Sequence, residues 1–189
     1  MILEDDFIAA AVGPPGLQID RSPPGLLRDP LEFLFIEHYR HRQLCRILEH
    51  LAAATAFEGG LISTTADFIR YDLALHVIDE EEDLFPLLRR RADPDDAIED
   101  VLGRLSGEHA KDQDQARLVR GVLDAALAAR TGPAQQAGAA HVLRGFATHQ
   151  RNHLALENAV VMPLARLRLT PADLAAMSKR FAARRGIVL

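Results

Sequence analysis

Two short segments of the chain carry histidine and glutamate at a spacing suited to holding a cation. One reads His76-x-x-x-Glu80 and the other reads His153-x-x-x-Glu157. On a helix, residues four apart lie on the same face, one turn from each other. The imidazole nitrogen and the carboxylate oxygen of each pair can therefore reach one metal ion, or two ions that share the carboxylate. Each motif alone is weak, because two residue types recur at one separation by chance.

A repeat along the chain strengthens this interpretation. Each glutamate is followed six residues later by a Pro-Leu pair, Pro86-Leu87 and Pro163-Leu164, and Glu37-His38 upstream matches Glu108-His109. The pattern indicates two similar halves related by a pseudo-two-fold axis, each supplying two histidines and one glutamate to the centre of the molecule. Such symmetry suits a pair of metal ions bridged by two carboxylates. The alternative is an old duplication of a helical hairpin whose His and Glu side chains only hydrogen-bond in the core.

The segments that position these residues have a helical period. Polar His and Glu interrupt their apolar stripes, and burying such groups without partners costs about 1–3 kcal/mol each. Capping and breaking signals then set the expected bounds. They predict helix A from Asp29-Pro30 to about Ala56, ended by Glu58-Gly59-Gly60; helix B from Ser63 or Thr64 to Asp93-Pro94; helix C to Thr131-Gly132-Pro133; helix D with an apolar stripe from Leu143 to Leu167; and a short helix E from Thr170-Pro171 to Gly186.

We therefore expect an all-α protein, an up-down-up-down four-helix bundle with an irregular N-terminal arm and a short C-terminal helix. Residues 1–29 form the arm, because Pro14-Pro15-Gly16-Leu17 recurs as Pro23-Pro24-Gly25-Leu26 and such Pro/Gly density opposes regular structure. Residues 30–189 form the bundle and the short helix.

Composition excludes several classes of function. The 189 residues carry 22 Lys and Arg against 27 Asp and Glu, a net charge of -5, which argues against a nucleic-acid partner. A single cysteine, Cys45, excludes an internal disulfide and a Cys-based cluster, and is expected to be a buried small hydrophobe. The acidic N-terminus does not resemble a signal peptide, and no apolar run approaches the ~18 residues of a membrane span. These features predict a cytoplasmic protein with no membrane partner.

The motifs taken together resemble the hemerythrin-like HHE cation-binding family, over roughly residues 30–168. The carrying residues are Glu37-His38, His76-x-x-x-Glu80 followed by Leu-Phe-Pro, Glu108-His109 and His153-x-x-x-Glu157. The resemblance implies a four-helix bundle with a non-haem di-iron centre, although manganese and zinc accept the same donors. Carried over residue by residue, it implies that the terminal ligands are His38, His76, His109 and His153 and that the bridges are Glu80 and Glu157.

The chain departs from the oxygen-carrying members of that family. The third helix of the carriers has two ligating histidines one turn apart, whereas helix C has only His109, with glutamine at position 113. The fourth helix of the carriers has an Asp five residues after its histidine, whereas this chain has Glu157 four residues after His153. Both features are more similar to the bacterial and F-box-type HHE domains. The resemblance therefore does not point simply to reversible oxygen carriage.

Ligand arithmetic predicts open positions on the ions. Two octahedral ions have about twelve sites, and two bridging carboxylates, a bridging oxygen and four histidines leave about two for oxygen, nitric oxide or peroxide. His149, one turn before His153, is the preferred candidate for a fifth histidine ligand. His41 is a weaker one, because three residues rotate it by about sixty degrees from His38. His50 and His141 are expected to be ordinary surface or helix-end histidines.

Other charged residues have two interpretations each. Asp112 either orients a ligand histidine or pairs with Lys or Arg. In the acidic run from Asp79 to Asp83, all but Glu80 are expected to be mostly solvated, with Glu81 a candidate for metal entry or the outer shell. The cations Lys179-Arg180 and Arg184-Arg185 are expected to complement the end of their own helix.

Three functions are compatible with these residues. The first is a di-iron protein that binds or senses oxygen, nitric oxide or iron. The second is a di-iron enzyme that acts on peroxide, oxygen or nitric oxide, or delivers iron for iron–sulfur repair. The third is a metal-free bundle that binds a protein partner.

Overall fold

The computed structural model describes residues 16–189, and this part of the chain contains helices and turns but no strand. The all-α class is therefore confirmed, while the up-down-up-down order of the long segments stays a prediction. The α-helices are α1 Pro30–Leu51, α2 Gly59–Asp67, α3 Leu73–Asp79, α4 Phe85–Arg91, α5 Glu99–Ala129, α6 Ala139–Leu156, α7 Met162–Arg168 and α8 Pro171–Arg184. None of these helices is both long and apolar enough to cross a membrane.

Helix α1 begins as predicted and ends earlier. The Asp29 carboxylate accepts a hydrogen bond from the Glu32 N–H at 3.1 Å, and Pro30 follows as the first helical residue. The helix stops at Leu51 rather than near Ala56, because the chain beyond it pairs with the loop after α5. The carbonyls of Ala54 and Thr55 accept hydrogen bonds from the N–H groups of that loop at 3.1 and 3.2 Å.

The second and fourth long segments each contain a π-helical turn that begins at a predicted metal-binding glutamate. Helices α2, α3 and α4 follow one another through π turns at Phe68–Asp72 and Glu80–Leu84, and α6 passes into α7 through Glu157–Val161. The second segment begins at Gly59, so the two glycines predicted to end the first helix instead start the next one.

Proline explains where two of these turns lie. The Phe85 N–H donates to the Glu80 carbonyl, and the Met162 N–H donates to the Glu157 carbonyl, each just before a proline that has no N–H. The repeated apolar-apolar-Pro sequence thus marks the end of a π turn in both halves. Such turns are frequent at functional sites.

The four long segments pack in a closed ring with two apolar cores. Helix α1 packs on α6, α6 on α5, α5 on α2, and α1 also on α2 and α3. One core joins the C-terminal part of α1 with α2, α5 and α6, and the other joins its N-terminal part with α4, α5, α7 and α8. The polar residues of the repeated motif lie between these cores.

The described part of the arm, from residue 16 onward, lies along α1. Asp20 and Gln43 exchange hydrogen bonds of 2.9 and 2.6 Å, Arg40 Nε donates to the Asp20 carbonyl at 2.7 Å, and the Ser22 hydroxyl donates to Glu37. Pro14 and Pro15 of the first Pro-Pro-Gly-Leu segment lie outside the described residues. The second such segment runs into a short 3-10 helix at Pro24–Arg28, which its Pro/Gly content does not predict.

The C-terminal helix α8 folds back onto the acidic run of the second segment. Arg184 and Arg185 pair with Asp79 at 2.8 and 2.7 Å, and Arg180 and Arg184 pair with Asp83. Asp79 and Asp83 are therefore buried, which corrects the expectation that they are solvated. The cations at the end of α8 neutralise carboxylates on both sides of Glu80 instead of serving only their own helix.

Candidate metal centre

The six predicted site residues come together in the polar layer between the two cores. They arise from α1, α3, α5, α6 and the first residues of two π turns, and none is more than 4% exposed. The residues are His38, His76, Glu80, His109, His153 and Glu157.

These residues form two overlapping groups of four. In the first, ligand atoms of His38, His76, Glu80 and Glu157 lie within 4.8 Å of one another. In the second, the same is true of His109, His153 and the same two glutamates. Each group therefore has two histidines of its own and shares both carboxylates with the other, as the repeat in the sequence predicts.

All four imidazoles turn their Nε2 atoms toward the glutamates. Glu80 carboxylate oxygens lie 3.4 Å from the Nε2 atoms of His38, His76 and His109. Glu157 Oε1 lies 2.9 Å from His153 Nε2, and its Oε2 lies 3.5 Å from His38 Nε2. Glu157 thus extends one oxygen toward each group.

Three of the four histidines have an acceptor on their outer nitrogen. The Nδ1 atoms of His38, His109 and His153 lie 3.1, 2.6 and 2.9 Å from oxygens of other side chains. Those acceptors are, in the same order, Asn158, Glu81 and Glu108. A proton on Nδ1 leaves a lone pair on Nε2, the form in which imidazole binds a metal. The Nδ1 atom of His76 has no partner among the described residues.

The carboxylates in the layer lack hydrogen bonds that would offset their burial. While the facing Nε2 atoms carry lone pairs rather than protons, Glu80 Oε2 and both oxygens of Glu157 have no hydrogen-bond partner among the described residues. Both side chains are fully buried. An ionised carboxylate that is buried without hydrogen-bond donors destabilises the folded protein, and cations bound to the shared oxygens would offset that cost. The donor set, four imidazoles and two carboxylates, is one that iron, manganese and zinc accept. These residues therefore fit a metal site.

The electrostatics of the layer favour positive charge on three of its histidines. Burial works to lower the pKa of His38 in the first group, but Glu80 and Glu157 raise it above its ordinary value. Burial works to lower the pKa values of His109 and His153, but hydrogen bonds to Glu80 and Glu157 raise them to about 9 and about 10. Burial and the charge of Glu80 raise the pKa of Glu157. Burial lowers the pKa of His76 to about 3. Without a metal, protons on the second group partly balance the two carboxylates.

The preferred candidate for a fifth ligand is placed elsewhere. His149 is 27% exposed, belongs to neither group, and has its Nε2 2.8 Å from Asp112 Oδ1. The other oxygen of Asp112 accepts a 2.6 Å hydrogen bond from Gln150. The partners of Asp112 are therefore His149 and Gln150. The sequence suggested instead that Asp112 orients a ligand histidine or pairs with Lys or Arg. His50 and His141 lie away from the layer, as expected.

His41, the weaker candidate, is buried beside the first group. Its ring meets that of His76 edge-on, with centroids 4.4 Å apart, and meets Phe68 at 5.4 Å. It belongs to neither four-residue group. Burial, followed by the neighbouring histidines His76 and His38, holds the pKa of His41 well below its ordinary value. Neither of the two extra histidines belongs to a four-residue group, so a fifth histidine ligand stays a prediction.

Two outer acceptors were missed by sequence reasoning, and one was anticipated. Glu81 accepts from His109 as the outer-shell interpretation expects, and also accepts from the Ser106 hydroxyl at 2.9 Å. Asn158 belongs to none of the motifs, and Glu108 enters the sequence analysis only as part of the repeated Glu-His pair, with no role of its own. A usable signal was present, because each acceptor is next in sequence to a predicted ligand.

Loss of an outer acceptor is expected to weaken metal binding without removing a ligand. Glu81→Ala frees His109 Nδ1 to change tautomer and orientation, so we expect affinity for iron to fall about 10–100-fold. Titration of metal-free protein with ferrous iron measures it. Glu82→Ala is the matched control, because Glu82 is exposed and pairs with Arg184. Equal losses in both variants would show that the effect is general to the acidic run.

The fold and the polar layer define a class of protein: a helical protein whose buried His and Glu side chains fit a metal site. The family model of the hemerythrin HHE cation binding domain matches residues 29–165. The chain therefore belongs to the hemerythrin HHE family, and the resemblance inferred from its motifs is confirmed. No curated protein gives a significant match to the chain.

Proposed function

We propose that this protein is a non-haem di-iron protein that binds or senses a small ligand, oxygen or nitric oxide, or iron itself. The observation that carries the proposal is the sharing of Glu80 and Glu157 between two otherwise separate groups of histidines. A single ion would need only one group. Two carboxylates common to both are the expected bridges of a pair.

In this proposal each residue type has a separate task. His38 and His76 would hold one ion, His109 and His153 would hold the other, and Glu80 and Glu157 would be shared by both. The iron pair supplies Lewis acidity and one-electron redox chemistry when bound. The apolar cores on both sides keep bulk water away from the layer, and Asn158, Glu81 and Glu108 fix three imidazoles with Nε2 inward. We further propose that the four long segments alternate in direction around this centre.

The proposal is tested by metal analysis of protein purified without oxygen. We expect about two iron ions per chain, and an optical spectrum of an oxo-bridged ferric pair after oxidation. One ion per chain, or a mononuclear spectrum, would contradict the dinuclear assignment. Manganese or zinc at two ions per chain would keep the dinuclear site and correct the identity of the metal.

Metal uptake is expected to release protons. Because the pKa values of His109 and His153 are raised to about 9 and 10 in the metal-free protein, both are charged at pH 7 and must lose a proton before Nε2 can bind. We therefore expect at least two protons to be released at pH 7, because the pKa values of His38 and Glu157 are raised as well. Apparent affinity should weaken as pH falls and strengthen as pH rises toward 9. Calorimetric titration with ferrous iron in two buffers of different ionisation enthalpy counts these protons, and a count near zero would contradict the prediction.

A further inference from the structure

His41 is a buried imidazole without a hydrogen bond. It is 1% exposed, and neither Nδ1 nor Nε2 has a partner among the described residues. A polar group left so costs about 1–3 kcal/mol of lost hydrogen bonding. An apolar side chain of similar size would fill the same space next to Phe68 at no such cost.

The pseudo-symmetry of the chain shows that only the first half has a buried polar side chain without a hydrogen-bond partner at this position. His41 lies three residues after His38, as Asp112 lies three residues after His109. Asp112 accepts from Gln150 at 2.6 Å and lies 2.8 Å from His149. The corresponding position in the second half is therefore occupied by a polar group with partners, whereas His41 has none.

His41 is better placed to contact a small molecule bound to the ion than to ligate the ion itself. Its ring is 4.4 Å from that of His76, so it lines the first group. Its nitrogens are not among the atoms that converge within 4.8 Å, where an ion would bind. A hydrogen-bond donor just outside the converging atoms can reach a molecule attached to the ion.

We propose that His41 donates a hydrogen bond to the small ligand taken up on the side of His38 and His76, and that this side therefore prefers ligands whose outer atom accepts one. The inference rests on the proposed function. Any protonation state of imidazole carries at least one N–H, so the donor is present whether His41 is neutral or charged. The ligand class is a small diatomic or triatomic species with negative charge on its free end. The second side, where Asp112 is already partnered, has no equivalent donor at that position.

Azide is the probe, because it binds open metal positions and its free end accepts a hydrogen bond. The iron-loaded, oxidised full chain is titrated with azide and followed by absorbance, after metal analysis of each sample. We expect His41→Phe to keep its two irons and to bind azide about 10–100-fold more weakly, since a hydrogen bond to a charged group is lost. His41→Gln keeps a donor and should recover part of the affinity.

His149→Phe is the matched control. It removes a histidine that contacts Asp112, the residue of the second half that corresponds to His41, and that is not next to the first group. We expect azide affinity close to that of the unaltered protein. Circular dichroism establishes that each variant is folded.

The possible outcomes separate this inference from the proposed function. Unchanged azide affinity in His41→Phe with both irons present overturns the inference and leaves the di-iron proposal standing. Loss of an iron in His41→Phe also overturns it, because His41 would then be a ligand. Failure of the loaded, unaltered protein to bind azide does the same. Absence of iron from the unaltered protein removes both proposals at once.

Discussion

Removal of the metal is expected to lower the melting temperature of this protein by about 5–15 °C. A ligand present at 100–1,000 times its dissociation constant adds about 2.7–4.1 kcal/mol to the stability of the state that binds it. For a chain of this size, each kcal/mol corresponds to about 2–4 °C. The layer holds its donors together only in the folded protein, so almost all of the binding free energy contributes to folding.

Scanning calorimetry of iron-loaded and chelator-treated protein measures this difference. The control is the double variant His76→Ala with His153→Ala, whose melting temperature should not respond to the chelator. Equal melting temperatures for the loaded and stripped unaltered protein would count against a metal centre and favour the metal-free bundle.

We expect removal of the metal to weaken helix packing only near the polar layer. Two apolar cores, each with members from all four long segments, remain on either side of the layer and do not depend on the ion. Helix α3 and the π turn at Glu80–Leu84 are held to α8 by the ion pairs of Asp79 and Asp83. The π turn at Glu157–Val161 has no matching set of ion pairs from α8 among the described residues. Amide exchange should therefore increase more around Glu157 than around Glu80.

The convergence of these side chains could be predicted because it depends on short spacings within single helices. A four-residue spacing on a helix fixes which side chains share a face, and the repeated order of motifs pairs the two halves before any contact is known. His76, Glu80, His153 and Glu157 are placed by that rule alone. The helix starts at Asp29 and Thr170 are likewise signalled by their own capping residues.

The remaining features depend on contacts between distant segments. The end of α1 is set by hydrogen bonds to the loop after α5, and the burial of Asp79 is set by arginines more than a hundred residues away. The surroundings of His149 and His41 depend on such contacts as well. Rotation about one helix places His149 toward the centre, but the adjacent α5 offers it Asp112, while Phe68 and His76 enclose His41.

The double variant His76→Ala with His153→Ala is expected to lose both metal ions. Each substitution removes one of the two imidazoles from one group of four, so each ion keeps one histidine and the shared carboxylates. That set of donors fills only about three of the six positions of an octahedral ion, and one imidazole with two shared carboxylates binds it much more weakly than the full set. Metal analysis after reconstitution should give about two ions in the unaltered protein and none in the variant.

The matched control is His50→Ala with His141→Ala, which removes the same number of imidazoles outside the layer. Its metal content should equal that of the unaltered protein. The single variants sharpen the test, because His76→Ala should empty the side of His38 first, and His153→Ala the side of His109. If the double variant keeps both ions, the two groups are not the binding site. If it gains stability and the unaltered protein binds no metal, the histidines serve only the packing of the bundle.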